Sequence, residues 1–435
     1  MGLRACPRLS PDRCPVACEP VAGIVVMPSS QEPWEGLMKL VHVSCLVLMA
    51  TSVARAQVCR PPTGVAGALS LHGINVPIRI FGGGIFVPVV LNDGRTYNWL
   101  LDTGFEESVV DPTTAKQLHL KSVDERTESG PGGAVATARV HGVTRRVAGI
   151  PLGAATLASL DLSGFDPVFG HHLDGVLGYD FFRRFVVIID YRSATLTLCD
   201  TASYRPGREE PIALHLESKQ PYIDAQIEGK RGPPVRGALE IDTGKLDPFS
   251  VNAAFARKNG LLKSQSTLLA MRGINVGGVT QAWMTRVKSL EFGHLVVGNP
   301  LMGIAEENAD RAGQIGYGIL RRVRLTLDYS RATAYVSPSA NFQLPYQFDH
   351  AGFVLGSRAP DFTRLVVLMV VAHTPAAVAG IRAGDEILRI NGRRASDFTL
   401  QDARDLFESA AGQQHLVLRR GSAVINAVVT CRPLV

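Results

Sequence analysis

Three blocks of this sequence occur twice, in the same order and at nearly the same spacing, which narrows the possible folds more than any other feature. "GYDFFRRFVVIIDYRSATLTL" (178–198) is matched by "GYGILRRVRLTLDYSRATAYV" (316–336), an offset of 316 − 178 = 138. "LLDTG" is matched by "EIDTG", with 242 − 102 = 140 between the acids. "HGVTRRVAGIPLG" (141–153) resembles "GGVTQAWMTRVKSLEFG" (277–293). Matched blocks in register imply a duplicated domain. Each copy alternates apolar and polar residues, as in "RVRLTLDY", with Gly and Pro punctuation, and so reads as strands. The helical candidates, "PTTAKQLHL" and "NAAFARKNGLL", are short. "SYRPGREEP" (203–211) suits the boundary between copies.

In both copies an acid follows apolar residues, and burying a carboxylate costs several kcal/mol unless it is partnered. A tight turn is one explanation, since Asp, Thr and Gly are turn residues. Chemistry is the other: a duplicated domain supplies two carboxylates, Asp102 and Asp242, that pseudo-twofold packing can bring together. Two such groups a few ångström apart share one proton and titrate as a unit. The ionised member can take a proton from water while the protonated member donates to a carbonyl oxygen. Thr103 and Thr243 offer hydroxyls to tie the two loops together, and Gly104 and Gly244 let the backbone turn beneath the carboxylates.

These residues resemble the aspartic proteases of the retropepsin and pepsin clan, whose pattern is two apolar residues, Asp-Thr-Gly, and a later apolar-apolar-Gly segment that cradles the loop. The later segments here are "VLG" (176–178) and "QIG" (314–316), and the resemblance covers roughly 75 to 337. A single triplet is weak, arising by chance in about one chain in ten of this length. Two in register are specific. The chain departs from the pattern at Phe105 and Lys245, where the family commonly has Ala or Ser, and at polar Glu240 and Gln314. A lysine beside Asp242 either stabilises its ionised form or points outward. The resemblance implies a flap, a hairpin closing over substrate, within 127–147, with a counterpart around 271–284. An ordinary glycine-rich loop is the alternative there.

Beyond Pro345 the repeat stops. "VVAHTPAAVAGIRAGDEILRINGRRASDFTLQDARDLFE" resembles a PDZ domain of the bacterial protease type, through its Pro-Ala-Ala-x-Ala-Gly segment, Gly384-Asp385, the strand "EILRINGRR" and a helix from about Leu400. The resemblance makes Gly352, Phe353, Val354 and Leu355 the carboxylate-binding loop and its strand. Backbone N–H groups there would capture a peptide C-terminus while the peptide adds to the sheet edge. Packing against the lobes is the alternative role for this module.

The expected fold is therefore mainly β: two homologous retropepsin-like β-lobes, 57–205 and 206–340, followed by an α+β PDZ domain, 345–435. Other residues read more plainly. His171 and His172, with no third donor at a sensible spacing, read as solvated loop residues rather than metal ligands. Arg183-Arg184 and Arg321-Arg322 read as exposed pairs, and Asp190-Tyr191 and Asp328-Tyr329 as strand ends.

Composition removes further classes. The net charge of +6 is scattered, with no stripe of basic and aromatic residues, which argues against nucleic acid as a partner. "MKLVHVSCLVLMATSVARAQ" from Met38 has the charged, apolar and small-residue order of a secretory leader (38–56), cut before Gln57. Its apolar core is too short to span a bilayer, and nothing later is longer. Residues 1–37 fit no such pattern and read as a non-native or disordered extension ahead of a start at Met38. Removing the leader removes Cys6, Cys14, Cys18 and Cys45, leaving Cys59, Cys199 and Cys431. That set lacks metal-ligand spacing, so neither a metal nor another cofactor is expected. Either Cys59 and Cys199 form a disulfide that brackets one lobe, or all three are buried thiols.

The sequence thus points to an exported, periplasmic or secreted, aspartic-type endopeptidase acting on peptide or protein substrates, with peptide C-termini as partners of the PDZ domain. A catalytically inactive periplasmic peptide-binding scaffold on the same fold is the alternative. The approach of the Asp102 and Asp242 carboxyls separates the two. N-terminal sequencing of the exported protein should return Gln57 as its first residue; an intact Met1 would refute the leader.

Overall fold

The structure, a computed structural model, describes residues 57–62, 73–263, 267–307 and 311–435. The expected leader and extension, with their four cysteines, lie outside the described residues. Mainly β architecture follows from the alternating sequence, and the two copies have built the same sheet twice. In the first lobe the strands run Gly84–Val90, Thr96–Leu101, Gly175–Leu177, Val109–Val110, Ile150–Leu160. In the second they run Gln220–Glu228, Val235–Ile241, Gly313–Ile315, Phe249–Asn252, Leu301–Ala305. The registers correspond as well: Leu101 lies beside Leu177 in one parallel pair, and Ile241 beside Ile315 in the other. The short helices also repeat. Pro112–Gln117 is capped by Asp111, which accepts from the Thr113 N–H at 2.8 Å, and Ala253–Lys258 by Asn252, which accepts from the Ala254 N–H at 2.9 Å.

The lobes are joined through a third sheet, ordered Ile74–Pro77, Thr195–Cys199, Val186–Asp190, Val323–Asp328, Thr333–Pro338, Pro211–Ala213. At its centre a strand of one copy pairs antiparallel with its own repeat, Val187 opposite Leu327 and Asp190 opposite Arg324. The repeated segment with the clearest sequence match is therefore also the seam between the copies. One apolar core runs through both lobes, including Trp99, Phe182, Ile189, Ile223, Phe249 and Leu325, all fully buried.

The C-terminal module has a separate core, built on Phe353 and Val367 of two paired strands and on Phe407 of the helix Leu400–Ser409, which begins with a Thr399/Asp402 capping box. Its strand Phe353–Arg358 lies at a sheet edge. Arg322 corrects the expectation of two exposed arginine pairs. Arg183 and Arg184 are exposed, but Arg322 is buried, donates to the carbonyls of Leu344 and Pro345, and lies 3.7 Å from the Tyr346 ring centre. The chain leaving the second lobe folds back over Arg322, so two carbonyls and an aromatic face replace the water it would otherwise need.

Cys59 and Cys199 form a disulfide, 140 residues apart, while Cys431 is a buried free thiol. The bond fixes the N-terminal segment to the joining sheet beside Val186, Tyr204 and Tyr335. Closing so long a loop restricts the unfolded chain, and replacing both cysteines by serine should lower the unfolding free energy by about 2–5 kcal/mol. A denaturation midpoint unchanged by the double substitution would show that the crosslink contributes nothing.

Candidate active site

The apolar run Thr96–Leu101 is buried toward its end, and the strand delivers Asp102 to the floor of a cleft between the lobes. Val235–Ile241 delivers Asp242 to the same floor. Each aspartate is 7% exposed, and the two carboxyls are in hydrogen-bond contact with one another. The threonines hold them there. The Thr103 N–H donates to the Thr243 hydroxyl at 3.1 Å and the Thr243 N–H to the Thr103 hydroxyl at 3.0 Å. Each hydroxyl in turn donates across the interface, Thr103 to the Ile241 carbonyl at 2.5 Å and Thr243 to the Leu101 carbonyl at 2.8 Å. Four buried hydrogen bonds thus cross between the loops. A methyl group at Gly244 would overlap the Asp102 carboxyl, so glycine is needed for the loops to approach.

The carboxyls differ in their surroundings. Asp102 accepts from the Gly104 N–H at 2.8 Å. Asp242 accepts from the Gly244 N–H at 2.9 Å, the Lys245 N–H at 3.1 Å and the Gln314 amide. Burial, and then the charge of Asp242, hold Asp102 well above the usual carboxylate range. Glu240, fully buried, is also held up, by burial and then by Asp242, although the Arg311 guanidinium reaches its carboxyl at 2.5 Å. Lys245 does not point out to solvent. Its ammonium lies 3.6 Å from Glu307 and 3.8 Å from Asp247; burial lowers its pKa, but these acids and Asp242 outweigh burial and raise it.

Hairpins occupy both expected flap segments. Ser122–Gly130 pairs with Gly133–Val147, and Leu269–Asn275 with Gly278–Arg286. Their tips meet over the cleft, where the Gly132 N–H donates to the Val276 carbonyl at 2.8 Å. The cleft has a volume of about 800 Å³ and continues from the aspartates to Gly352, Phe353, Val354 and Leu355 of the C-terminal module. That is room for an extended peptide segment.

No sequence signal indicates how that module meets the first lobe. Parallel pairing sets Val109 beside Ala158 in one lobe and Ser250 beside Gly303 in the other. From there the chain takes 15 steps from Leu160 to Gly175 but 8 from Ala305 to Gly313, so the first lobe carries seven extra residues. They form the turns Ser163–Phe165 and Asp166–Phe169, the second of which packs on the edge strand Phe353–Arg358. Arg404 clamps the contact, donating to the carbonyls of Val168 and Leu355 at 2.7 Å and of Gly82 at 3.0 Å. His171 belongs to this contact and is not a solvated loop residue, whereas His172 stays partly exposed within its own lobe. His172 lies 2.7 Å from Asp166 at the start of the second turn, and His171 stacks on Phe81 at 4.3 Å with Phe362 beyond it. Asp190 and Asp328 do end strands, but the tyrosines that follow are buried near the aspartates, whose charges add to burial in raising both phenols.

The expected carboxylate-binding loop is already in use. The N–H groups of Gly352 and Phe353 donate to the Asp349 carboxyl, at 3.2 Å in the second case. Burial raises that carboxyl to about 7 against the pull of these bonds. Gly352, at φ +87° and packed on Thr374, holds the turn. An internal acid thus occupies two N–H donors of the expected carboxylate loop.

Comparison with known proteins agrees with this geometry. Residues 87–181 match the family model described as aspartyl protease, and residues 366–420 match the PDZ domain model. The chain carries an aspartyl protease domain and a PDZ domain. Among solved structures, a photosystem II D1 C-terminal processing protease matches at 27% identity over 19% of this chain and 23% of its own, with a TM-score of 0.18.

If the loop receives a peptide carboxylate, that group has to displace Asp349 from the Gly352 and Phe353 N–H groups, and Asp349→Ala should tighten binding of a free-carboxylate peptide about tenfold and leave its amidated twin unchanged, measured by calorimetry. Equal effects on both peptides would rule out the loop as the carboxylate receptor.

Proposed function

We propose that this protein is an exported aspartic-type endopeptidase whose PDZ domain delivers peptide to the cleft. The observation that carries the reading is the pair of buried carboxyls, Asp102 and Asp242, in hydrogen-bond contact beneath two flaps. A pair holding one proton supports both halves of peptide hydrolysis. The ionised carboxylate takes a proton from a water lying between the two groups, and the oxygen attacks the scissile carbonyl carbon. The protonated carboxyl gives its proton to the carbonyl oxygen, forming a tetrahedral diol. Collapse of the diol breaks the C–N bond: the proton held by the base passes to the departing nitrogen, and a diol hydroxyl returns its proton to the other carboxylate as the carbonyl re-forms, restoring the starting state. The flaps exclude bulk water from this exchange. Export is supported by the Cys59–Cys199 disulfide, since such bonds persist in oxidising compartments.

The alternative, a peptide-binding scaffold without turnover, draws support from the charges crowded behind Asp242, which the first lobe lacks. Incubation of the mature chain with a mixed peptide library decides between them. Cleavage is expected for the wild type and a loss of at least about a thousandfold for both Asp102→Asn and Asp242→Asn, with unchanged thermal midpoints within a few degrees. Wild-type rates in both variants would refute the catalytic pair, and binding without any cleavage by the wild type would favour the scaffold.

A further inference from the structure

The duplication supplies an internal control. Strand pairing makes Leu100 equivalent to Glu240 and Val176 equivalent to Gln314, because Leu100 faces Val176 in one lobe as Glu240 faces Gln314 in the other. By the same registers Val109 corresponds to Ser250, and Leu173, three residues before Val176, corresponds to Arg311, three before Gln314. Phe105 and Lys245 each follow their triplet. In the first lobe these five positions are all apolar and form one cluster beside Asp102. In the second all five are polar, and four carry or contact the charges around Asp242.

We propose that Lys245, Arg311 and Gln314 are positioning residues that break the symmetry of the aspartate pair, keeping Asp242 ionised as the base and leaving the shared proton on Asp102 as the acid. This rests on the peptidase reading for its mechanistic meaning, but proton placement can be measured without turnover. Hydrogen bonds carry the argument. Asp242 accepts three N–H donors and Asp102 one, and donors favour the charged form. The extra side-chain donor is Gln314, where the first lobe has Val176, a residue with nothing to donate. The added backbone donor is the Lys245 N–H.

Of the charged neighbours, the cations Lys245 and Arg311 act in the same direction against the acids, and the Arg311 charge also reaches Asp102. Facing Asp242 are Asp102 from the opposite loop, Glu240 from its own strand, Gln314 and Arg311 from the cradle segment, Lys245 from its own loop, and the phenols of Tyr191 and Tyr329. Glu307 and Asp247 stand behind Lys245, and Glu307 also meets Arg311 at 3.3 Å. Glu240 is held toward its neutral form by burial and by Asp242, so the Arg311 charge is not fully spent on it. Around Asp102 the equivalent positions supply only desolvation, which penalises a charge.

The test is a carboxyl carbon-13 titration by NMR of the full mature chain. In Asp242→Asn, Asp102 titrates alone; in Asp102→Asn, Asp242 does. Asp102 is expected to keep its proton to a pH at least about two units higher than Asp242. Gln314→Val, placed in the Asp102→Asn background, should move the Asp242 midpoint up by about one unit. Glu240→Leu with Arg311→Leu and Gln314→Val copies the packing of the first lobe and should remove most of the difference. Equal or reversed midpoints in the two asparagine variants overturn the proposal, even if the packing variants fail to fold. So does a difference that survives Gln314→Val unchanged. If the midpoints differ as expected but no peptide is ever cleaved, the peptidase reading falls while the proton assignment stands.

Discussion

The structure depends on the reciprocal hydrogen bonds between Thr103 and Thr243. Each threonine accepts from the other's backbone N–H and donates to a carbonyl of the opposite strand, in an interface that excludes water almost completely. A buried donor or acceptor left unpaired costs about 1–3 kcal/mol, so loss of one threonine orphans partners in both lobes at once. Because the bonds are short and directional, they also fix the approach of the acids one residue upstream. The joining sheet brings the copies together on one side, and the threonines set the register on the other.

Duplication gives two equivalent backbones, and divergence of their side chains gives each a separate role. The first lobe keeps an apolar wall that includes Phe86, Leu100, Leu162 and Val176 and is continuous with the cleft. The second lobe replaces the equivalent wall with buried charges. Such charges are tolerated only because they have partners: Arg311 meets Glu307 and the Glu240 carboxyl, which burial holds toward its neutral form, and Lys245 meets Glu307 and Asp247. The first lobe has diverged in a different way, by seven extra residues that reach the edge strand of the PDZ domain. Arg404 and the stacked His171 fasten that contact, so the domain is held against the cleft rather than tethered freely.

Much of this was legible in the chain because it rests on local rules. Alternation of apolar residues set the strands, "PTTAKQLHL" and "NAAFARKNGLL" marked the short helices, and the repeated Asp-Thr-Gly triplets identified the acids. Glu240, Lys245 and Gln314 stood out in sequence only as departures from a pattern. Arg311 and Glu307 carried no signal, since a charged residue in a loop looks the same whether solvated or buried. Arg322 and His171 mislead for that reason: their environment is supplied by chain segments outside any local pattern.

By itself, then, the sequence determined a duplicated β fold with two carboxylates at matched positions, and a separate module after it, because periodicity and repetition are properties of neighbouring residues. Tertiary structure alone decided how the two acids differ and which surface that module covers. Those outcomes depend on desolvation and on hydrogen-bond partners far apart in the chain, such as Gln314 with Asp242 across 72 residues and Arg404 with Gly82 across 322, and no local pattern encodes them.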